Sequence, residues 1–240
     1  MTAYINDPDA TDFKKPKRDD FNIHDVSTKT NEIPDEDVVE LEKDSIHRLS
    51  SGIDLCISDV DKADLNVLSI KTYEKDDEIT AHSLDIVKYP DKRLSKICKK
   101  IDVIDDDIKQ LILDMYMTMR TNDAVGIAAP QVGQLIRLIV IHVTEPLVLI
   151  NPTIFEKSSE LIKINEGCLS IPKYHQDVNR ANKITVIYTD VSGELNQITA
   201  TGLHAAVIQH EIDHIDGKTM LDHLPFSERL KIKFRLRSRR

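Results

Sequence analysis

The chain has 240 residues, with 41 acidic against 32 basic side chains and a formal net charge of −9. That suits one sizeable domain with an appendage, and excludes a disulfide mini-protein or attraction of the whole molecule to nucleic acid phosphate. The longest apolar stretch, residues 135–143, is interrupted by Arg137 and His142 and falls far short of the roughly 20 residues that cross a bilayer, so no membrane partner is expected.

The opening MTAYINDPDA has neither the positive cluster nor the apolar run of a secretory signal. It is also too acidic for an ordinary organelle transit peptide. Three scattered cysteines, Cys56, Cys98 and Cys168, suit a reducing compartment, and the expected address is the cytoplasm.

Charge divides the chain. Residues 1–80 hold 21 Asp/Glu and 10 Lys/Arg, leaving 20 and 22 for residues 81–240, so the two parts carry −11 and +2. The first part lacks sustained periodicity, although Ile53, Leu55 and Ile57 alternate and residues 38–49 could form a helix. It reads as an acidic, disordered or conditionally folded extension. From Leu84 onward apolar residues recur at regular spacings between turn residues, so residues 81–240 are expected to form a packed domain.

Ile108, Leu111, Ile112, Met115 and Met119 stand at i, i+3, i+4, i+7 and i+11 behind Asp105, Asp106 and Asp107, which predicts an amphipathic helix with its methionines in the core. Short strands are expected over residues 137–143, 147–151, 161–165, 183–189 and 195–201, with a hairpin turn at 190–194. A second helix should run from about Gly202 to His214 and stop near Gly217. Strands adjacent in sequence favour antiparallel pairing, and the order helix, strands, helix predicts an α+β fold.

The strongest chemical signal is His210-Glu211-Ile212-Asp213-His214. Histidines at i and i+4 share one helix face, so both imidazoles can reach one metal ion, and Glu211 stands beside the first where its carboxylate can hold a water. His204 and His223 flank the motif without completing a recognised spacing. Cys168, in Glu166-Gly167-Cys168-Leu169-Ser170, is the best third ligand, because a loop there could present a thiolate beside the helix. Ala124-Val125-Gly126-Ile127-Ala128-Ala129-Pro130-Gln131 joins the first helix to the first long strand. Its small residues allow close backbone approach to a ligand, and Gln131 is a neutral donor able to polarise a carbonyl. H-E-x-x-H alone also fits a metallopeptidase, and a binding protein that has lost turnover is a further alternative.

Taken together, G-x-A-A-P-Q, E-G-C-L-S and Q-H-E-x-D-H, in this order and at these separations, resemble the three motifs of peptide deformylases. The resemblance runs from about Leu84, with Tyr89-Pro90-Asp91-Lys92-Arg93-Leu94 similar to the family's amino-terminal strand and turn, to about Arg235. It implies a peptide-deformylase-like fold, largely antiparallel strands around a central metal-binding helix. It also implies a metal-dependent hydrolase that removes the N-formyl group from the initiator methionine of nascent polypeptides.

By the same resemblance, Cys168, His210 and His214 hold the metal, and Glu211 is the base and then the acid. Gln131 and the Leu169 N–H receive the oxyanion, and Glu166 pairs with Arg180. Gly126 and Ile127 are expected along the substrate, with Leu203 and Val207 as candidates for the methionine pocket or for plain core. One thiolate and two imidazoles suit Zn2+, whereas the family implies Fe2+ in many members, so either divalent ion is expected. Where the family usually has glycine two residues before Gly126, this chain has Ala124.

The end of the chain places Arg229, Lys231, Lys233, Arg235, Arg237, Arg239 and Arg240 within twelve residues. A deformylase meets its substrate as nascent chains leave the ribosome, so this tail is a candidate contact for ribosomal RNA. Its alternation with Leu230, Ile232, Phe234 and Leu236 looks more like a strand than a helix.

Overall fold

The computed structural model describes residues 81–237. The acidic extension of residues 1–80, with its candidate strand around Ile53 and helix over 38–49, lies outside the described residues. Helix α1 (Asp106–Thr121) opens on Asp105, whose carboxylate accepts the Ile108 N–H at 3.0 Å and satisfies one of the free donors of the first turn. Met115 and Met119 are fully buried, as their spacing predicts.

A five-stranded antiparallel sheet follows in the order β1 (Gly126–Ala128), β2 (Leu138–His142), β3 (Pro146–Lys157), β6 (Lys183–Thr189) and β7 (Leu195–Thr201). A separate antiparallel hairpin pairs β4 (Leu161–Gly167) with β5 (His175–Ala181). The turn between β6 and β7 closes with the Asp190 N–H donating to the Glu194 carbonyl at 2.9 Å, and Gly193 supplies the left-handed backbone it needs, φ 88°.

Strand β2 explains the layering. Leu138 and Val140 pack with Met115, Met119 and Ile127 under α1. Ile139 and Ile141 pack on the opposite face with Ala205, Ile208 and Ile212 of helix α2 (Gly202–Ile215). A strand covered on both faces needs apolar residues at every position, so 138–141 reads as a continuous run. Helix α2 is buried along most of its length and forms the centre of the α+β architecture.

Three differences from expectation have physical causes. Strand β3 runs on to Lys157 instead of ending at Asn151, because Pro152 falls in the register shift between Ile150 and Thr153, where no ladder N–H is required. Strand β5 was unanticipated, since only Val178, Arg180 and Ala181 of its seven residues are buried. The basic tail forms helix α3 (Phe226–Arg237), not a strand. Leu, Lys and Arg are good helix formers, and the Glu228 and Arg229 N–H groups donate to the Pro225 carbonyl at 3.0 Å each to start it. Among the described residues no helix is long and apolar enough to cross a membrane.

Candidate active site

Cys168 follows β4 directly, while His210 and His214 stand one turn apart on α2. The Cys168 Sγ and one ring nitrogen from each histidine all lie within 4.8 Å of one another. His214 Nε2 is 3.3 Å from the sulfur. His210 Nδ1 is 2.8 Å from Glu166 Oε2; an ionised carboxylate only accepts, so Nδ1 carries the proton and Nε2 is left with a lone pair for a cation. Burial raises the Cys168 thiol, but the His214 and His210 imidazoles outweigh burial and hold it well below its ordinary value. A polarisable thiolate and two imidazoles converging this closely fit one divalent ion of the Fe2+ or Zn2+ type.

Glu166 is itself anchored. Arg180 donates from Nε to Oε1 at 2.6 Å and from Nη2 to Oε2 at 3.0 Å, a bidentate pair with both side chains almost wholly buried. Burial opposes the charge on Glu166, yet the bonds from His210 and Arg180 win and take its carboxyl down to about 2. Arg180 Nη1 reaches on to Asp213 Oδ2 at 2.5 Å. The loop carrying Cys168 and the helix carrying both histidines are thus tied through one guanidinium.

Glu211, buried beside the ligand cluster, has its carboxyl pushed up to about 6 by burial, against the opposing effect of His210 and His214. Its Oε2 has no hydrogen-bond partner among the described residues, which leaves an acceptor for a water at the site. Gln131 is fixed by its own backbone neighbourhood: Oε1 accepts the Ala128 N–H at 2.7 Å, so Nε2 is the end turned toward Cys168, 3.6 Å from the sulfur.

Cys168, His210, Glu211 and Gln131 face a cavity of about 540 Å3 that Gly126, Leu169, Leu203 and Val207 also help to line, with His214 buried behind them. Ile127 is the exception among the expected substrate contacts. Its side chain is fully buried in the core under α1 and is not part of the cavity wall. In a strand, neighbours point to opposite faces, so Gly126 facing the site turns Ile127 away from it. Leu203 is half exposed at the cavity mouth, whereas Val207 is buried. Ala124 also lines the cavity, and the left-handed backbone falls on Asp123, φ 51°, and not on Ala124; alanine there carries no backbone strain.

Sequence reasoning missed several contributors. The Val87 N–H donates to the Gln131 carbonyl at 2.7 Å and the Tyr89 N–H to the Ser170 carbonyl at 2.8 Å, so residues 87–89 join the two site loops. Lys88 Nζ donates to the Leu169 carbonyl at 2.8 Å. Tyr174 and His175 of the β4–β5 hairpin also line the cavity. Backbone bonds leave no residue-type signal, and the hairpin residues have no motif of their own.

A family model described as polypeptide deformylase matches residues 83–230. A peptide deformylase of Bradyrhizobium sp. is 41% identical over 150 residues, covering 58% of this chain and 86% of that protein. Peptide deformylase 1 of Pseudomonas syringae pv. tomato is 39% identical over 157 residues, covering 64% and 94%. Among solved structures, the Ehrlichia chaffeensis peptide deformylase in complex with actinonin superposes with a TM-score of 0.63 at 37% identity, covering 66% of this chain and 98% of that one. With three motifs folded around one Cys-His-His cluster and a match that spans the described domain, the chain belongs to the polypeptide deformylase family, metal-dependent hydrolases that remove the N-formyl group from nascent polypeptides.

Proposed function

We propose that this chain deformylates peptides beginning with N-formylmethionine, with Cys168, His210 and His214 holding one divalent cation, Fe2+ or Zn2+. When bound, that ion supplies Lewis acidity, lowering the pKa of a coordinated water and polarising the formyl carbonyl. Glu211 takes a proton from the attacking water as oxygen adds to the formyl carbon. Gln131 Nε2–H and the Leu169 N–H donate to the oxygen that gains charge. Glu211 then returns the proton to the departing nitrogen as the C–N bond breaks, giving formate and a free amino terminus. Leu203 and Val207 supply apolar surface for the methionine side chain, and the backbone of Gly126 runs beside it.

The observation that carries this reading is the clustering, beside one cavity, of a Cys-His-His donor set whose atoms lie within 4.8 Å of one another, a buried carboxylate with an oxygen that no described residue engages and an amide whose N–H end is fixed toward the sulfur. A carboxyl raised toward neutrality serves as base and acid in turn. Formate release from formyl-Met-Ala-Ser, compared with cleavage of the unformylated peptide, is the test, because a metallopeptidase would cut both. Metal analysis after anaerobic purification, paired with activity, decides between the two ions.

The reading places the enzyme in the cytoplasm, where nascent chains emerge, with the catalytic domain beginning near residue 81 and residues 1–80 as an extension outside the chemistry. The family match beginning at residue 83 supports that boundary. Deleting residues 1–80 should leave formate release on a short peptide within a few-fold of the full chain, and aggregation of the shortened protein would move the boundary. Helix α3, whose sequence carries five basic residues from Arg229 to Arg237, is the candidate contact for ribosomal RNA. Co-sedimentation with ribosomes at low and high salt, for the full chain and one ending at Ser227, tests that contact.

A further inference from the structure

His223 ends the short 3-10 turn Met220–His223, outside the H-E-x-x-H motif. Its Nε2 lies 2.6 Å from Asp213 Oδ2, the oxygen that also accepts Arg180 Nη1. From there the bonded path runs through Arg180 to Glu166 and on to His210 Nδ1. Along this path side-chain exposure falls from 34% at His223 to 16% at Asp213 and 3% at Arg180.

We propose that His223 is a positioning residue for the metal centre: by holding Asp213 it keeps Arg180 seated on Glu166 and so fixes the ring of His210.

The physical reason lies in the guanidinium. It is planar and rigid, so its three engaged nitrogens move together. Asp213 accepts from two donors at one oxygen; with only Arg180 left, a carboxylate this near the surface is free to turn toward water. Nη1 would then lose its partner, and the whole plane could tilt, loosening the Nε and Nη2 bonds to Glu166. His223 is well placed to prevent this. Met220 and Leu221 are buried beside Ile171 and Val178, and the Thr219 N–H donates to Asp222 Oδ2 at 2.9 Å, so the turn that presents the imidazole is itself anchored.

The inference rests on Cys168, His210 and His214 being the ligands, and its test reads metal retention and not turnover. The parent, His223→Gln and His223→Leu are loaded with Zn2+, and transfer to a chelator is timed. Glutamine keeps an N–H donor for Asp213; leucine keeps bulk alone. Removing a group bonded directly to a ligand typically costs about 10–100-fold in metal affinity, and His223 acts three side chains further out along this path. The leucine variant should therefore release Zn2+ about three- to tenfold faster than the parent, and the glutamine variant within about twofold of it. In the metal-free forms His223→Leu should melt only slightly below His223→Gln, since the Arg180–Glu166 pair is loosened and not broken.

Parent-like release from His223→Leu overturns the proposal. So does equal acceleration in both variants with equal loss of thermal stability, since that would assign His223 to packing. If His223→Leu does not fold, His223→Asn, too short to reach Asp213 in the same pose, takes its place with the same expectations. A parent chain that takes up no Zn2+ overturns the ligand assignment itself, and this inference with it.

Discussion

The carboxylate of Glu211 rests against the bare Cα of Gly126: a Cβ built there would stand 2.6 Å from Glu211 Oε1 and 3.0 Å from Val207 Cγ1. Glycine at this position is therefore a matter of space and not of backbone angle. In Gly126→Ala the easiest response is for Glu211, the free end of a side chain, to move. Stability should change little while Glu211, the proposed proton carrier, is displaced, and misplacement by about 1 Å can cost on the order of 10²-fold in rate. We expect turnover to fall at least tenfold with metal content and melting temperature near those of the parent, measured by formate release, metal analysis and thermal denaturation.

Glu211→Gln separates proton transfer from shape. The amide fills the same volume but cannot accept a proton at neutral pH, so turnover should drop by roughly 10²-fold or more. Metal content should match the parent, because Glu211 is outside the Cys-His-His donor set. Parallel loss of metal and activity would make Glu211 structural.

Arg180→Ala should be the most damaging substitution away from the ligands. It leaves the carboxylates of Glu166 and Asp213 without their shared cation in a largely buried position, and breaking such a pair costs about 3–5 kcal/mol. Arg180→Lys should recover part of this, since one ammonium cannot serve Glu166 bidentately and reach Asp213 as well. Urea unfolding of the metal-free proteins gives the comparison.

Cys98 supplies a pH dependence. Burial pushes its thiol up from 9.0 to about 12, with Arg137 acting against it and Asp216 with it, and the side chain is almost wholly inaccessible. In the unfolded chain the thiol ionises near its ordinary value, so between about pH 9 and 12 the unfolded state binds fewer protons and stability falls as pH rises. Below pH 9 this contribution is fully present. Stability of the parent should fall more steeply than that of Cys98→Ala across this window, and a thiol reagent at pH 8 should modify Cys98 only after unfolding, as read by peptide mapping.

Much of this site was legible because helices advertise themselves. His210 and His214 are one turn apart in any helix, and the apolar residues Ala205, Ala206, Val207 and Ile208 ahead of them mark a buried one. Cys168 could be named as a ligand candidate, but only folding brings the end of β4 against α2. Gln131 was visible as a donor. Which end of its amide faces the sulfur depends on the Ala128 N–H, a backbone bond that no residue type reports. The link from Asp213 and His223 to Arg180 was not legible, because β5, which carries Arg180, has no apolar alternation to place it. The tail misled for the opposite reason: alternation is a strand signal only where one face is buried, and of its described side chains Ile232 packs against the core while Phe226 and Leu230 stay exposed.

The segment over residues 82–89 has a mechanical consequence. Its backbone is fastened at His82 to Asp114 and at Leu84 to Thr118, then at Val87 to Gln131 and at Tyr89 to Ser170. Tension on the chain from upstream would be borne first by the two anchors on α1 and next by the two site loops, before reaching any strand of the five-stranded sheet. A pull strong enough to free Val87 and Tyr89 would slacken the loops that carry Gln131 and Cys168 while the sheet remained intact.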